Sequence, residues 1–191
     1  MNQGFEEARG EIVAFLNSDD YYTHPHVLQA VDRAFATSDC EIVYGNIQMI
    51  DAERHIVRAW RTGPVAHRSL RGQQLPHPAV FVSRQALTRL DPPFDPTYRY
   101  AADLKQQIIL IERMGLIATR IDDALTCMRV GGKSTGSLRN VVDGWRESAR
   151  AYREVHQRSG ALFMTGKVLR KLGQFRHGRS LASNGRRNFI W

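Results

Sequence analysis

Residues 11–22 read EIVAFLNSDDYY. Glu11 to Leu16 is a short, nearly continuous apolar run, the pattern of a strand buried on both faces of a mainly parallel sheet. It breaks abruptly into Asn17, Ser18, Asp19 and Asp20. In an open α/β sheet, ligands bind beyond the carboxyl ends of the strands. Two adjacent carboxylates at such a place suit a hard divalent cation, Mg2+ or Mn2+, whose remaining ligands are phosphate oxygens and water. The same four residues also suit a plain turn or a cap on the next element. Spacing alone leaves both readings open.

Working outward, Met1 to Ala8 reads as the end of a helix closed by Arg9-Gly10. After the acidic pair, Val27, Ala30, Val31, Ala34 and Phe35 recur at helical spacing and predict an amphipathic helix. Glu41 to Ile50 predicts a strand, with Asp51 to His55 as its turn and Ile56 to Trp60 as its hairpin partner. A loop comes next, with Gly63, Pro64 and Gly72. Ala79 to Val82 predicts a third strand, 84–90 a short helix, and the proline-rich stretch 91–96 none. Helix is predicted from Ala102 to about Gly115, strand-like runs at Leu116 to Thr119 and Ala124 to Val130, and helix from Ser137 to about His156. A further helix is expected from Ala161 to Leu172. The fold class is α/β: a mixed sheet flanked by helices, with a helical, basic C-terminal extension. The segments are 1–136, the α/β domain; 137–173, C-terminal helices; and 174–191, a basic tail.

Length and composition narrow the classes further. With 191 residues, 42% hydrophobic and 24% charged, the chain resembles an ordinary globular domain, which argues against disorder and against a rod. Its apolar runs are far shorter than the roughly 18 residues that cross a bilayer, and no signal segment opens the sequence. Cys40 and Cys127 form neither a disulfide framework nor a metal cluster by spacing, so a reducing cytoplasm is expected. The net charge of +8 is not spread evenly. Residues 155–191 carry eight Lys and Arg and no acid, while the remainder is balanced. Such a stretch suits an anionic membrane surface, nucleic acid or plain solvation. No nucleic-acid motif accompanies it, so no nucleic-acid partner is expected.

Three further features bear on chemistry. Asp103 stands at the start of a predicted helix, where the dipole favours a carboxylate, and it could equally serve as a base. His77 lies between Pro76 and Pro78, which predicts a stiff, extended backbone suited to a positioned side chain; a structural histidine is the plainer alternative. Gly131-Gly132-Lys133-Ser134 has a superficial P-loop look, but the first glycine of that motif would fall on Cys127, which excludes it. With Arg129 it could form a phosphate-side lid or a simple flexible turn.

Taken in order, MNQGFEEARGEIVAFLNSDDYY, EIVYGNIQMID, PHPAVFVSR, FDPTYRYAADLKQQIIL and MRVGGKST resemble blocks of the family 2 inverting glycosyltransferases of GT-A fold. The match is to the bacterial branch that builds cell-surface polysaccharide, and it spans about residues 2–140. The resemblance implies a nucleotide-sugar donor and a saccharide or lipid-linked saccharide acceptor. It assigns Asn17-Ser18-Asp19 to the DXD-type motif, with Asp19 on the divalent metal and Asp20 sharing that role. Asn2, Gly4, Asn17, Ser18, Arg129 and Lys133 would border the donor, His77 the acceptor, and Asp103 would be the general base. Two departures stand out: Asn17 in the first motif position, and Ala102 where many relatives carry an acid.

Measured against the family, the sequence is expected to lack the N-terminal βαβ part of the nucleotide site. That would leave a sheet edge open to self-association. An enzyme peripheral to the inner face of the cell membrane is the leading expectation. An inactive remnant serving as a membrane- or partner-binding module is the alternative.

Overall fold

The computed structural model describes residues 1–130 and 138–157. Six strands are present among them: β1 (Ile12–Ala14), β2 (Tyr21–Tyr22), β3 (Ile42–Ile50), β4 (Ile56–Trp60), β5 (Val80–Ser83) and β6 (Ala118–Arg129). The helices are α1 (Asn2–Glu7), α2 (Val27–Thr37), α3 (Arg84–Leu87), α4 (Ala102–Gln107) and α5 (Leu138–His156). The strands form one mixed sheet in the order β1-β5-β3-β6-β2, with β4 paired to β3.

The apolar, β-branched β3 is its spine. β6 runs parallel along it from Ile42↔Ala118 to Ile50↔Arg129. The opposite edge of β3 is shared, with β5 taking its first residues and β4 its last. β1 is antiparallel to β5, which is antiparallel to β3. Hence β1, β3 and β6 all point the same way, and their carboxyl ends share one edge of the sheet.

The two-residue period of the strands divides the core. Ile42, Tyr44, Val80 and Val82 face α4, its continuation and Ala151 of α5. Val43, Ile47, Phe81 and Leu125 face Val27 and Val31 of α2. At Gly45 the strands approach so closely that a Cβ would sit 2.5 Å from the Leu125 side chain. The β3–β6 register shifts around that same point.

Several sequence expectations need correction. The sheet is not mainly parallel: β3–β6 is the one parallel pairing among the described strands. β1 is half-buried rather than covered on both faces, and only Val13 is buried in it. The two strand-like runs at 116–130 are a single strand; the charged break at Arg120 to Asp123 is absorbed by the register shift beside Gly45 rather than by a turn. β2 has no counterpart among the predicted elements, because two tyrosines are too short a pattern to read. His77 is not extended: His77–Ala79 forms a 3-10 turn closed by the Ala79 N–H on the Pro76 carbonyl at 2.9 Å. Proline tolerates the first turn of a helix, since its missing donor has no partner there in any case.

The helix predicted from Ala102 is present, and its second half, Ile108–Arg113, widens to π-type geometry. It stops at Gly115, whose φ of +71° favours glycine. α5 packs on it through Ala151, Tyr152 and Val155. Polar ties reinforce the contact. Glu147 accepts the backbone N–H groups of Arg99, Tyr100 and Ala101, and Glu154 accepts from the Tyr98 hydroxyl and the Lys105 ammonium. The helix expected at 161–172 and the basic tail lie outside the described residues. No helix among the described residues is long and apolar enough to cross a membrane.

Candidate active site

The stretch after β1 turns tightly. The Asp20 N–H donates to the Asn17 carbonyl at 3.1 Å, and the Asn17 side-chain amide donates to Asp20 Oδ2 at 2.7 Å. Asp20 Oδ1 accepts from the backbone N–H of Arg129 at 3.3 Å, which ties the turn to the end of β6. β2 makes this reach possible, because Tyr21 pairs with Cys127 and Tyr22 with Thr126. Asp20 is therefore buried, and burial pushes its carboxyl above the usual range, partly offset by these two bonds. Asp19, Asn17, Ser18 and Arg129 are exposed. The neighbouring acids thus divide the work: Asp20 shapes the turn, and Asp19 offers its carboxylate outward.

Asp103 is half-buried in the first turn of α4. Its Oδ2 accepts a hydrogen bond from the Gln74 amide at 3.0 Å. The loop carrying Gln74 is stitched to the same helix on both sides. Gln107 exchanges two bonds with the Leu75 backbone, at 3.0 and 3.1 Å, and Glu112 accepts from the Leu70 N–H at 2.7 Å.

His77 completes this cluster. Its ring stacks on Phe15 at 5.5 Å and meets Phe94 edge-on at 5.8 Å. Its Nε2 is buried, with no hydrogen-bond partner among the described residues. Burial lowers its pKa, and the nearby Asp103 carboxylate opposes that shift. The next residue, Pro78, is anchored to β6 by the Thr126 hydroxyl, which donates to its carbonyl at 2.8 Å. Phe15, two residues before Asn17, thus links the carboxylate turn to the Asp103–His77 cluster.

The remaining sequence-predicted residues are less central. The Asn2 side chain is engaged with Phe94, donating to its carbonyl at 2.8 Å and accepting its N–H at 3.0 Å, so it braces the 91–96 loop. Gly4 is exposed with open space around it. Lys133 lies outside the described residues. Gln74 and the Phe15–Phe94 pair are invisible to sequence reasoning, because polar pairs and single phenylalanines in loops carry no periodic signal. Both cysteines are free thiols.

For a divalent cation the donor set is sparse. Among the described residues no group of three or more His, Cys, Asp or Glu could hold a metal. One exposed carboxylate at a strand end, with at most a second beside it, is what a cation sharing its shell with phosphate and water needs. The residues fit such a shared cation and do not fit an all-protein cage.

Residues 1–91 match the family model described as glycosyl transferase family 2. A curated relative, an uncharacterised glycosyltransferase of Nostoc sp., is 42% identical over 65 residues, 34% of this chain and 20% of the relative. Among solved structures, S. aureus TarS 1–349 in complex with UDP aligns with a TM-score of 0.58 at 14% identity, covering 92% of this chain and 51% of that one. Its complex with UDP-GlcNAc gives 0.59 at 14% identity, with 94% and 54% covered. The chain therefore spans about half the length of these TarS chains and a fifth of the curated relative. The chain thus resembles the family 2 glycosyltransferases over residues 1–91 and is GT-A-like in fold.

Proposed function

We propose that this chain forms the catalytic part of an inverting glycosyltransferase. It would move a sugar from a nucleotide-sugar donor to an acceptor hydroxyl in cell-surface polysaccharide synthesis. The observation that carries this reading is the run of contacts from the carboxylate turn after β1, through Phe15 and His77, to Asp103. Asp19 is exposed and four residues beyond Phe15, and Asp103 is half-buried beside His77, on which Phe15 stacks. The resemblance to TarS, solved with UDP and with UDP-GlcNAc, supports a nucleotide-sugar donor.

In this reading Asp103 removes the proton from the acceptor hydroxyl, whose oxygen attacks the anomeric carbon as the bond to the nucleotide diphosphate breaks. Gln74 keeps one oxygen of Asp103 fixed, and the neutral, desolvated His77 helps to exclude water beside it. Asp19 would hold Mg2+ or Mn2+, which when bound supplies positive charge for a diphosphate leaving group. Arg129, whose backbone N–H is tied to Asp20, would add its guanidinium to the donor side. The acceptor is a saccharide or lipid-linked saccharide. The enzyme would be cytoplasmic and peripheral at the inner membrane face, where the basic stretch 155–191 meets anionic lipid.

Two variants test the division of roles. Asp103→Asn should keep donor affinity while transfer falls by about 10²–10⁴, the usual worth of a positioned base. Asp19→Ala should lose metal-dependent donor binding measured by titration calorimetry. Full transfer by the first variant, or unchanged binding by the second, would refute the corresponding role.

A further inference from the structure

α5 has an outward face that combines exposed apolar side chains with arginines. Arg139, Val142, Trp145, Arg146, Ala149 and Arg153 recur at three- and four-residue spacing and so share one stripe. Val142 is 42% exposed and Trp145 40% exposed, two large apolar groups side by side in solvent. The side chains of Arg139 and Arg146 beside them are 91% and 77% exposed.

The acids of α5 lie off this stripe. Glu147 and Glu154 are spent on the body of the protein, against the 99–101 backbone and against Tyr98, Lys105 and Arg150. Asp143, at the rim, makes surface pairs with Arg139 at 3.9 Å and Arg146 at 3.4 Å, contacts of little energetic weight. The opposite side of α5 is fixed to the core through Ala151. The stripe is therefore presented on a held helix, and the sequence from 155 onward adds eight cations and no acid.

We propose that this face of α5 is a docking surface for an anionic phospholipid bilayer. Trp145 and Val142 enter the headgroup boundary, and Arg139, Arg146 and Arg153 pair with lipid phosphates. Cations flanking an exposed tryptophan on an amphipathic helix are the makings of an interfacial helix. The long arginine stems let the charge stay at phosphate level while the apolar groups sit deeper. A purely electrostatic partner such as a nucleic acid would leave the valine and tryptophan without a role. The inference rests on the membrane-side placement proposed above, and adds to it the residues that read the surface.

The test uses the full chain with vesicles of phosphatidylcholine, with and without phosphatidylglycerol. The parent should sediment with the anionic vesicles only. Val142→Ser with Trp145→Ser should weaken partitioning roughly tenfold or more, and each of Arg139→Gln and Arg146→Gln by about fivefold. In a Trp60→Phe, Trp191→Phe background, Trp145 emission should shift to the blue on binding. Replacing Arg158, Lys167, Arg170 and Lys171 by Gln should leave that shift in place. Unchanged partitioning of the Val142/Trp145 variant, with binding lost only in the 158–171 variant, would overturn the α5 surface and leave the membrane placement standing. Failure of the parent chain to bind anionic vesicles would overturn both.

Discussion

Asp20 is held in the fold against its own preference for water. Burial raises its pKa, and the bonds from Asn17 and the Arg129 N–H limit the rise. For a carboxyl raised on folding, the sign is fixed: the folded state binds the proton more tightly. Stability therefore falls as pH climbs from the ordinary aspartate value of 3.8 through the raised pKa. Asn17→Ala should push the Asp20 pKa higher still, as read by carboxyl NMR titration; an unchanged or lower value would contradict the bond. Gln74 plays a positional part at Asp103: its amide donates to one carboxylate oxygen and fixes the direction of the group. Gln74→Ala should lower kcat by about tenfold with the donor KM little changed, as expected when a positioned base is loosened, and an unchanged kcat would leave Gln74 a merely structural residue. The acids and His77 are legible in the sequence as residue types at strand and helix ends. Their partners are not: Gln74 reaches Asp103 across 29 positions and Asn2 reaches Phe94 across 92, and no local pattern encodes such meetings.

Elements carry the next layer of the account. β3 and β6 touch so closely at Gly45 that a methyl group would meet Leu125, itself buried. Gly45→Ala should cost about 1–3 kcal/mol in chemical denaturation, the usual range for overpacking; a neutral result would mean that β6 yields at its register shift. α5 is tied down by an ionic cluster in which the Lys105 ammonium lies 2.7 Å from both Asp95 and Glu154. That bond chiefly holds both carboxyls down to about 2. Groups lowered on folding contribute stability above their unfolded values and lose it as pH falls, here from about 4.5 toward 2. Lys105→Met should therefore flatten the loss of stability over that window, measured by urea unfolding at successive pH values. An unaltered slope would show that the cluster does not link α5 to acid stability. Most element positions are readable from periodicity, as with α2, β3, β4 and α5. The 3-10 turn at His77 and the unbroken β6 are not, because their geometry is decided by Thr126 holding Pro78 and by the close approach at Gly45.

At the scale of the whole molecule, the fold brings the carboxyl ends of three co-directional strands to one edge, and the Asn17–Asp20 turn follows one of them. The TarS chains that align with it are about twice as long as the aligned region. Donor binding by the 191-residue chain itself is thus the property on which the account depends. Thermal unfolding of this chain with UDP-, GDP- and dTDP-sugars, each with Mn2+ and with EDTA, tests it most directly. A donor present at about 100 times its Kd should stabilise the fold by about 2.7 kcal/mol. The account predicts such a shift with one nucleotide class, dependent on Mn2+ and lost in Asp19→Ala. A folded chain whose unfolding is indifferent to every donor and to the metal would contradict it.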